Sequence, residues 1–208
     1  MSVCLNMIVK NESQGIRECL NSVKPFIQYW IIVDTGSTDE TMQIIRETMQ
    51  GIPGELVQRP WVNFSYNRNE AIELARGKGD YLLLIDADER LLYEEGFKLP
   101  ELKKDLYLAT VRDPTGLDFL RPLVLANSRK WEFAGDVHEK LIDQEGVSFE
   151  VIAGLINFTN TKIGGRSQDP DKWMHDVAVL KEAIAKDPNN PRNWFYLAQS
   201  YGNAQKYP

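Results

Sequence analysis

The sequence predicts an α/β chain: a mostly parallel sheet with helices on both faces, a small antiparallel portion and a C-terminal helical pair. Three observations predict it. Over the first ninety residues, short apolar runs alternate with amphipathic stretches in the order β-α-β-α-β-α-β, the pattern of a parallel sheet with right-handed crossovers. After residue 90 the alternation stops and apolar runs flank a strong turn signal, Asp113-Pro114-Thr115-Gly116, as antiparallel strands do. The tail carries two helical stretches opened by Asp169-Pro170 and Asn190-Pro191.

Taken in order, residues 3–9 are short and apolar with β-branched Val3, Ile8 and Val9, a first strand that ends in Lys10-Asn11-Glu12. Ser13 can cap a helix to about residue 23, with Ile16, Cys19, Leu20 and Val23 on one face and Pro25 as its stop. A second strand, 29–33, runs into Asp34-Thr35-Gly36-Ser37-Thr38-Asp39. There Gly36 permits a tight turn and Ser37 or Thr38 can cap a helix over 39–49 that buries Met42, Ile45 and Met49. A helix N-terminus closing onto a strand tip suits an anion or a ribose, and Asp34 as an exposed carboxylate could accept hydrogen bonds from a ribose or base. A capped turn without a ligand is the plainer reading.

A third strand is expected over 55–59 and a helix from Ser65 to about Arg76, with Ala71, Ile72 and Ala75 towards the core. Arg68 and Asn69 lie in its first turns, where a cation opposes the helix dipole, so Arg68 calls for a phosphate or carboxylate partner or a surface ion pair. The fourth strand belongs to residues 81–90, Tyr-Leu-Leu-Leu-Ile-Asp-Ala-Asp-Glu-Arg. Its apolar run reads as a buried strand, and ligands of open α/β sheets bind beyond the carboxyl ends of such strands. Asp86, Asp88 and Glu89 packed there repel one another, and a divalent cation holding a polyphosphate would offset that charge. The alternative is an acidic turn capping the next helix. Three strand tips (Asn11 with Glu12, Asp34, and Asp86 with Asp88) thus converge on one sheet edge.

Beyond residue 90 the expectations are a short helix over 99–104, an antiparallel pair over 106–112 and 117–126, and a further strand or two within 147–158. Between the last two come Trp131–Phe133 as residues 131–133 and then Ala134-Gly135-Asp136-Val137-His138-Glu139. The polar segment 159–169, with Gly164-Gly165 beside Arg166, is a linker or a mobile lid over a phosphate. In the tail, Trp173, Val177, Leu180 and Ile184 share one helix face, and Trp194, Leu197, Ala198 and Tyr201 point inward from the second helix. Such a pair looks like the opening of a tetratricopeptide-type array, giving an expected division into 1–165 and 166–208.

Bulk properties bound the possibilities. The 208 residues, 43% hydrophobic and 26% charged, suit one globular domain with a small appendage. A net charge of −6 gives no general reason to bind nucleic acid. Cys4 and Cys19 form no Cys-x-x-Cys pattern, which points away from a disulfide framework and towards a reducing compartment. No apolar stretch approaches the ~18–20 residues of a membrane span, and residues 1–10 read as a strand rather than a signal peptide. A cytoplasmic protein is expected, of open oligomeric state.

The series 4–12 (CLNMIVKNE), 31–41 (IIVDTGSTDET), 64–89 (FSYNRNEAIELARGKGDYLLLIDADE) and 135–139 (GDVHE) resembles the family-two glycosyltransferases of GT-A fold, in the branch with a helical-repeat C-terminus. The resemblance implies a GT-A, Rossmann-like domain and a nucleotide-diphosphosugar donor, a UDP-sugar first among candidates. It implies Mn²⁺ or Mg²⁺ and inverting transfer of a hexosyl or deoxyhexosyl group to a glycan, lipid-linked or peptide acceptor. Carried over by position, Asn11, Glu12, Asp34 and Arg68 line the nucleotide pocket. Asp86 meets the ribose or the metal, Asp88 binds the metal bridging the phosphates, and Glu139 is the base with Asp136 in reserve. One departure stands out: Asn157 occupies a position where this branch is expected to carry a metal-ligating histidine, which weakens the metal site or shifts the ligand role to His138. His138 held to a backbone carbonyl is an equal reading, and His175 is a surface or packing residue. Two other classes compete: a nucleotidyltransferase, which would need a basic Gly-rich loop after the first strand, and a degenerate, non-catalytic nucleotide-sugar-binding scaffold.

Overall fold

The computed structural model describes residues 1–142, 145–160, 163–164, 166 and 169–205. The strands are β1 (Val3–Val9), β2 (Tyr29–Asp34), β3 (Gly54–Gln58), β4 (Tyr81–Leu84), β5 (Glu89–Tyr93), β6 (Leu106–Arg112), β7 (Asp118–Ala126), β8 (Phe133–Ala134), β9 (Lys140–Leu141) and β10 (Phe149–Thr159). The helices are α1 (Ile16–Val23), α2 (Thr41–Thr48), α3 (Phe64–Leu74), α4 (Lys172–Lys186) and α5 (Pro191–Asn203).

Eight strands form one sheet in the order β3-β2-β1-β4-β7-β6-β10-β5. The first four run parallel, as the alternating sequence predicts. β7 joins β4 antiparallel, and β6 and β10 run parallel to each other beyond it. Helices cover both faces of the parallel half. Val3, Leu5, Met7 and Val9 of β1 face Ile16, Cys19, Leu20, Ile44 and Ile45 of α1 and α2. Cys4 and Ile31 face Ala71 and Ile72 of α3 and Ala75, which caps it. Asn6, buried in that layer, is satisfied: its Nδ2 donates to the Ala71 carbonyl at 2.7 Å. Cys4 and Cys19 are both buried and free.

Several expectations change. Residues 99–104 form no helix; six residues with Pro100 among them cannot repay helix nucleation, and the Lys103 and Lys104 amides donate to the Tyr107 hydroxyl instead. Directly after the acidic turn comes β5, which pairs antiparallel with β10 at the sheet's far edge. Its apolar run is too short to read as a strand without its partner. β8 and β9 form a separate hairpin. Ser13 does not cap α1, whereas Asn63 caps α3 through its side chain, accepting from the Tyr66 amide. In α4 the buried positions are Asp176, Val177 and Leu180. Trp194 of α5, expected to point inward, is 51% exposed.

Candidate active site

The carboxyl ends of β1 and β2 are tied together by short polar side chains. Asn11, at φ 55°, lets its amide donate to Ser37 Oγ at 2.9 Å while its own Oδ1 accepts from the Thr38 amide at 2.8 Å. The Glu12 amide donates to Thr41 Oγ1 at 2.7 Å. Asp34 closes the turn: Oδ1 accepts from the amides of Gly36 and Ser37 at 3.2 and 3.0 Å. Asp34 has no exposed surface, so the exposed carboxylate anticipated there is a buried one that shapes the turn. Gly36, at φ 109°, makes that turn possible.

The tip of β4 is a different environment. Arg68, in the first turns of α3, reaches two acids at once: Nη2 donates to Asp86 Oδ1 at 2.7 Å and Nε to Glu139 Oε1 at 2.6 Å. Its guanidinium lies 5.6 Å from the centre of the Phe133 ring. Burial works against its charge, but Asp86 and Glu139 outweigh that and raise its pKa. The partner called for by its position is therefore a pair of carboxylates. Arg121 of β7 joins from the other side, pairing with Glu89 and standing 3.7 Å from Asp86. Burial alone would raise the Asp86 pKa; Arg68 and Arg121 hold it below the ordinary carboxylate value.

Glu89 is the buried hub of this cluster. Its Oε2 accepts from the Asp86 amide at 3.1 Å, from Arg121 and from Asn157 Nδ2 at 2.9 Å. Glu89 thus turns back into the protein, while the adjacent Arg90 goes to Glu18 at 2.9 Å. Asn157 is 1% exposed and serves Glu89.

Among the described residues Asp88 forms no ion pair with an arginine. Burial, then the charges of Asp86 and Glu89, push its pKa up to about 7. The chain after β10 crosses over it: the Asn160 amide donates to the Asp88 carbonyl at 2.9 Å, and a Cβ at Gly164 would lie 2.8 Å from Asp88 Oδ2. Any side chain at 164 would have to displace the Asp88 carboxylate. Thr161, Lys162, Gly165, Ser167 and Gln168 of the lid-or-linker segment lie outside the described residues. Arg166 is described; it pairs with Asp176 of α4, its guanidinium 4.7 Å from the centre of the Phe64 ring.

The loop 135–139 joins β8 to β9 and carries both candidate bases. Gly135 and His138 turn it with φ 111° and 53°. α3 anchors it: Asn69 exchanges hydrogen bonds with the Phe133 backbone, Asn63 Nδ2 donates to Asp136 Oδ1 at 2.7 Å, and Arg68 holds Glu139. The His138 ring stacks on Tyr196 of α5, centroids 4.1 Å apart, and its Nε2 is buried without a hydrogen-bond partner among the described residues. Burial lowers its pKa. Among the described residues no three acids, histidines or cysteines group closely enough to hold a metal, so His138, Asp86 and Asp88 do not form a ready ligand trio. His175 is exposed, 3.0 Å from Asp169.

Arg121, the Glu89 hub and Asn63 are what reading the sequence missed. A signal for the first existed: in DFLRPLVLA an arginine sits in register with Leu123 and Leu125 on alternate positions of an apolar strand, where a charge must find partners.

Residues 4–102 match glycosyl transferase family 2. The family-two resemblance read from the sequence therefore holds over that segment. The SPbeta prophage-derived glycosyltransferase SunS of Bacillus subtilis is 28% identical over 210 residues, covering 95% of this chain and 49% of the relative. A TPR repeat-containing protein of Synechococcus elongatus is 41% identical over 93 residues, 44% of this chain and 22% of its own length. The chain thus spans about half the length of SunS. Among solved structures, S. aureus TarS 1-349 in complex with UDP-GlcNAc matches with a TM-score of 0.56 at 15% identity, over 96% of this chain and 71% of that one. That likeness establishes the fold, the expected GT-A architecture with its mixed sheet, small antiparallel sheet and helical C-terminus. Among the described residues no helix is long and apolar enough to cross a membrane.

Proposed function

We propose that this chain is the catalytic part of a metal-dependent, inverting glycosyltransferase that moves a hexosyl or deoxyhexosyl group from a UDP-sugar to a glycan, lipid-linked or peptide acceptor. The observation that carries the reading is Arg68, which joins the β4 tip acid Asp86 to the loop acid Glu139 through one guanidinium. It sets a leaving-group end and a base end side by side, as direct displacement requires.

In this reading the tied tips of β1 and β2 hold the nucleoside. Asn11 and Glu12 position the turn that Asp34 closes, and the ribose or base lies against it. Asp86, oriented by Arg68 and Arg121, receives the ribose. Asp88 faces the diphosphate. The donor set fits a divalent ion of the Mg²⁺ or Mn²⁺ kind, because these are commonly held by one or two carboxylates with substrate phosphates completing the shell. Among the described residues Asp88 is paired with no arginine or lysine, Arg121 acting on it only at longer range, and Asp86 is its neighbour. When bound, such an ion offsets charge on the departing diphosphate.

Glu139 takes the acceptor's proton, a contribution of ~10²–10⁴-fold for a positioned base. Arg68 fixes the direction of its carboxylate. Asp136, held by Asn63, is the reserve candidate. His138, its ring stacked on Tyr196, would be an outer neighbour of the ion rather than a principal ligand. Residues 1–165 form the donor-binding unit and 166–208 open a helical-repeat region. The two free, buried cysteines suit a cytoplasmic setting.

Calorimetric titration with a panel of nucleoside diphosphates, with and without Mn²⁺, tests the proposal. A uridine preference that strengthens with Mn²⁺ is expected. Equal, metal-indifferent binding of all of them, or none of any, overturns it.

A further inference from the structure

The loop 135–139 is held from two directions, and only one of them belongs to the GT-A half of the chain. From α3 and its cap come Arg68, on Glu139, and Asn63, on Asp136, while Asn69 holds Phe133 of the preceding β8. From the opposite side comes α5, in the C-terminal helical pair. Arg192 Nη2 donates to the His138 carbonyl at 2.8 Å. Tyr196, one helical turn on, lays its ring against the His138 imidazole at 4.1 Å with only 10° between the planes. Arg192 in turn covers Tyr196, its guanidinium 4.8 Å from the ring centre. The i and i+4 positions of one helix therefore clamp the carbonyl and the side chain of a single residue.

The clamped residue is the one that needs it. His138 sits at φ 53°, a left-handed conformation that a non-glycine residue keeps only when its surroundings over-determine it. Its neighbour in the chain is Glu139. A relaxation of His138 to ordinary backbone angles would swing the following peptide and carry the Glu139 carboxylate off Arg68.

We infer that Arg192 and Tyr196 are positioning residues for Glu139: the C-terminal helical pair, acting through His138, fixes the candidate base against the donor site. This deepens the glycosyltransferase reading and rests on it for its catalytic meaning. It makes the helices part of the active-site construction rather than an appended module, and it offers a route by which whatever packs on those helices can change turnover.

The test uses the whole chain with Arg192→Leu, Tyr196→Leu and Tyr196→Phe, the last of which keeps the stacked ring. Hydrogen exchange is followed across residues 133–141, and UDP binding with Mn²⁺ is followed by calorimetry. Arg192→Leu and Tyr196→Leu are expected to speed exchange of 135–139 about tenfold by opening the loop locally, with the sheet unchanged and UDP affinity within about twofold. Tyr196→Phe stays near wild type. In donor hydrolysis with UDP-hexoses and UDP-N-acetylhexosamines, the same two variants lower kcat on the order of 100-fold at constant donor KM, as a misplaced catalytic group does. Unchanged exchange in both Leu variants, or faster exchange over the whole sheet, overturns the clamp. So does a Tyr196→Phe variant as impaired as Tyr196→Leu. Failure of the wild-type chain both to bind UDP and to hydrolyse any donor overturns the transferase reading instead, and the exchange comparison still decides whether α5 holds the loop.

Discussion

The two ends of the candidate site are built from different interactions. At the β1 and β2 tips, Asn11, Glu12 and Asp34 are bound by turn amides and hydroxyls of residues 36–41, with no arginine among those partners. At the β4 tip, Asp86 and Glu89 are held by arginines from α3 and β7. Backbone amides satisfy a carboxylate without bringing a formal charge. Arginines bring a charge that must itself be balanced, so the β4 end is a network in which each member's removal strands another. Asp88 stands beside that network and, among the described residues, pairs with no guanidinium; burial and its acidic neighbours push its pKa up to about 7.

The largest effect should come at the charged end. Glu139→Gln is expected to keep UDP binding and lose ~10²–10⁴-fold in turnover, measured by donor consumption. Should Asp136→Asn produce that loss and Glu139→Gln not, the roles are exchanged.

Next in size is the stability contrast between the two ends. Arg68→Met leaves Asp86 and Glu139 facing each other without their shared cation and should cost about 3–5 kcal/mol in urea unfolding. Asn11→Ala removes one acceptor from a polar turn and should cost about 1 kcal/mol. Equal costs for the two would remove the distinction drawn between the ends.

Smallest is a pH effect. In the folded chain Asp88 has a pKa raised from an ordinary 3.8 to about 7, so the native state binds more protons than the unfolded state between those values. Its favourable contribution is present in full below about pH 4 and is lost as pH rises through 7. Asp88→Asn should therefore raise Tm at pH 8 and leave it nearly unchanged at pH 4. A Tm gain of the same size at both pH values contradicts the assignment.

Legibility in the sequence follows the same division. The parallel half was readable because each β-α unit is local: the apolar run, the polar tip and the helix face lie within some thirty residues of one another. The convergence of Asn11, Asp34 and Asp86 followed from strand direction alone, and the structure bears it out. What could not be read was contact brought about by register. Arg121 reaches Glu89 across 32 residues, and Asn157 reaches it across 68, because β7 and β10 return antiparallel to β4 and β5. The burial of Asp34 escaped for a related reason: whether a strand-tip acid faces solvent depends on how the next turn folds back over it. The short helix expected over 99–104 failed because six residues take their conformation from neighbours, here Tyr107.

In the proposed reading the β4 tip is the diphosphate and metal end of a nucleotide-sugar site, with Asp88 as its anchor. Calorimetry of UDP binding to wild type and Asp88→Ala, each with and without Mn²⁺, tests it most directly. The expected result is Mn²⁺-enhanced binding in wild type and weak binding in Asp88→Ala that Mn²⁺ does not change, with the variant's unfolding still cooperative. Mn²⁺-enhanced UDP binding of undiminished affinity in Asp88→Ala would contradict the account.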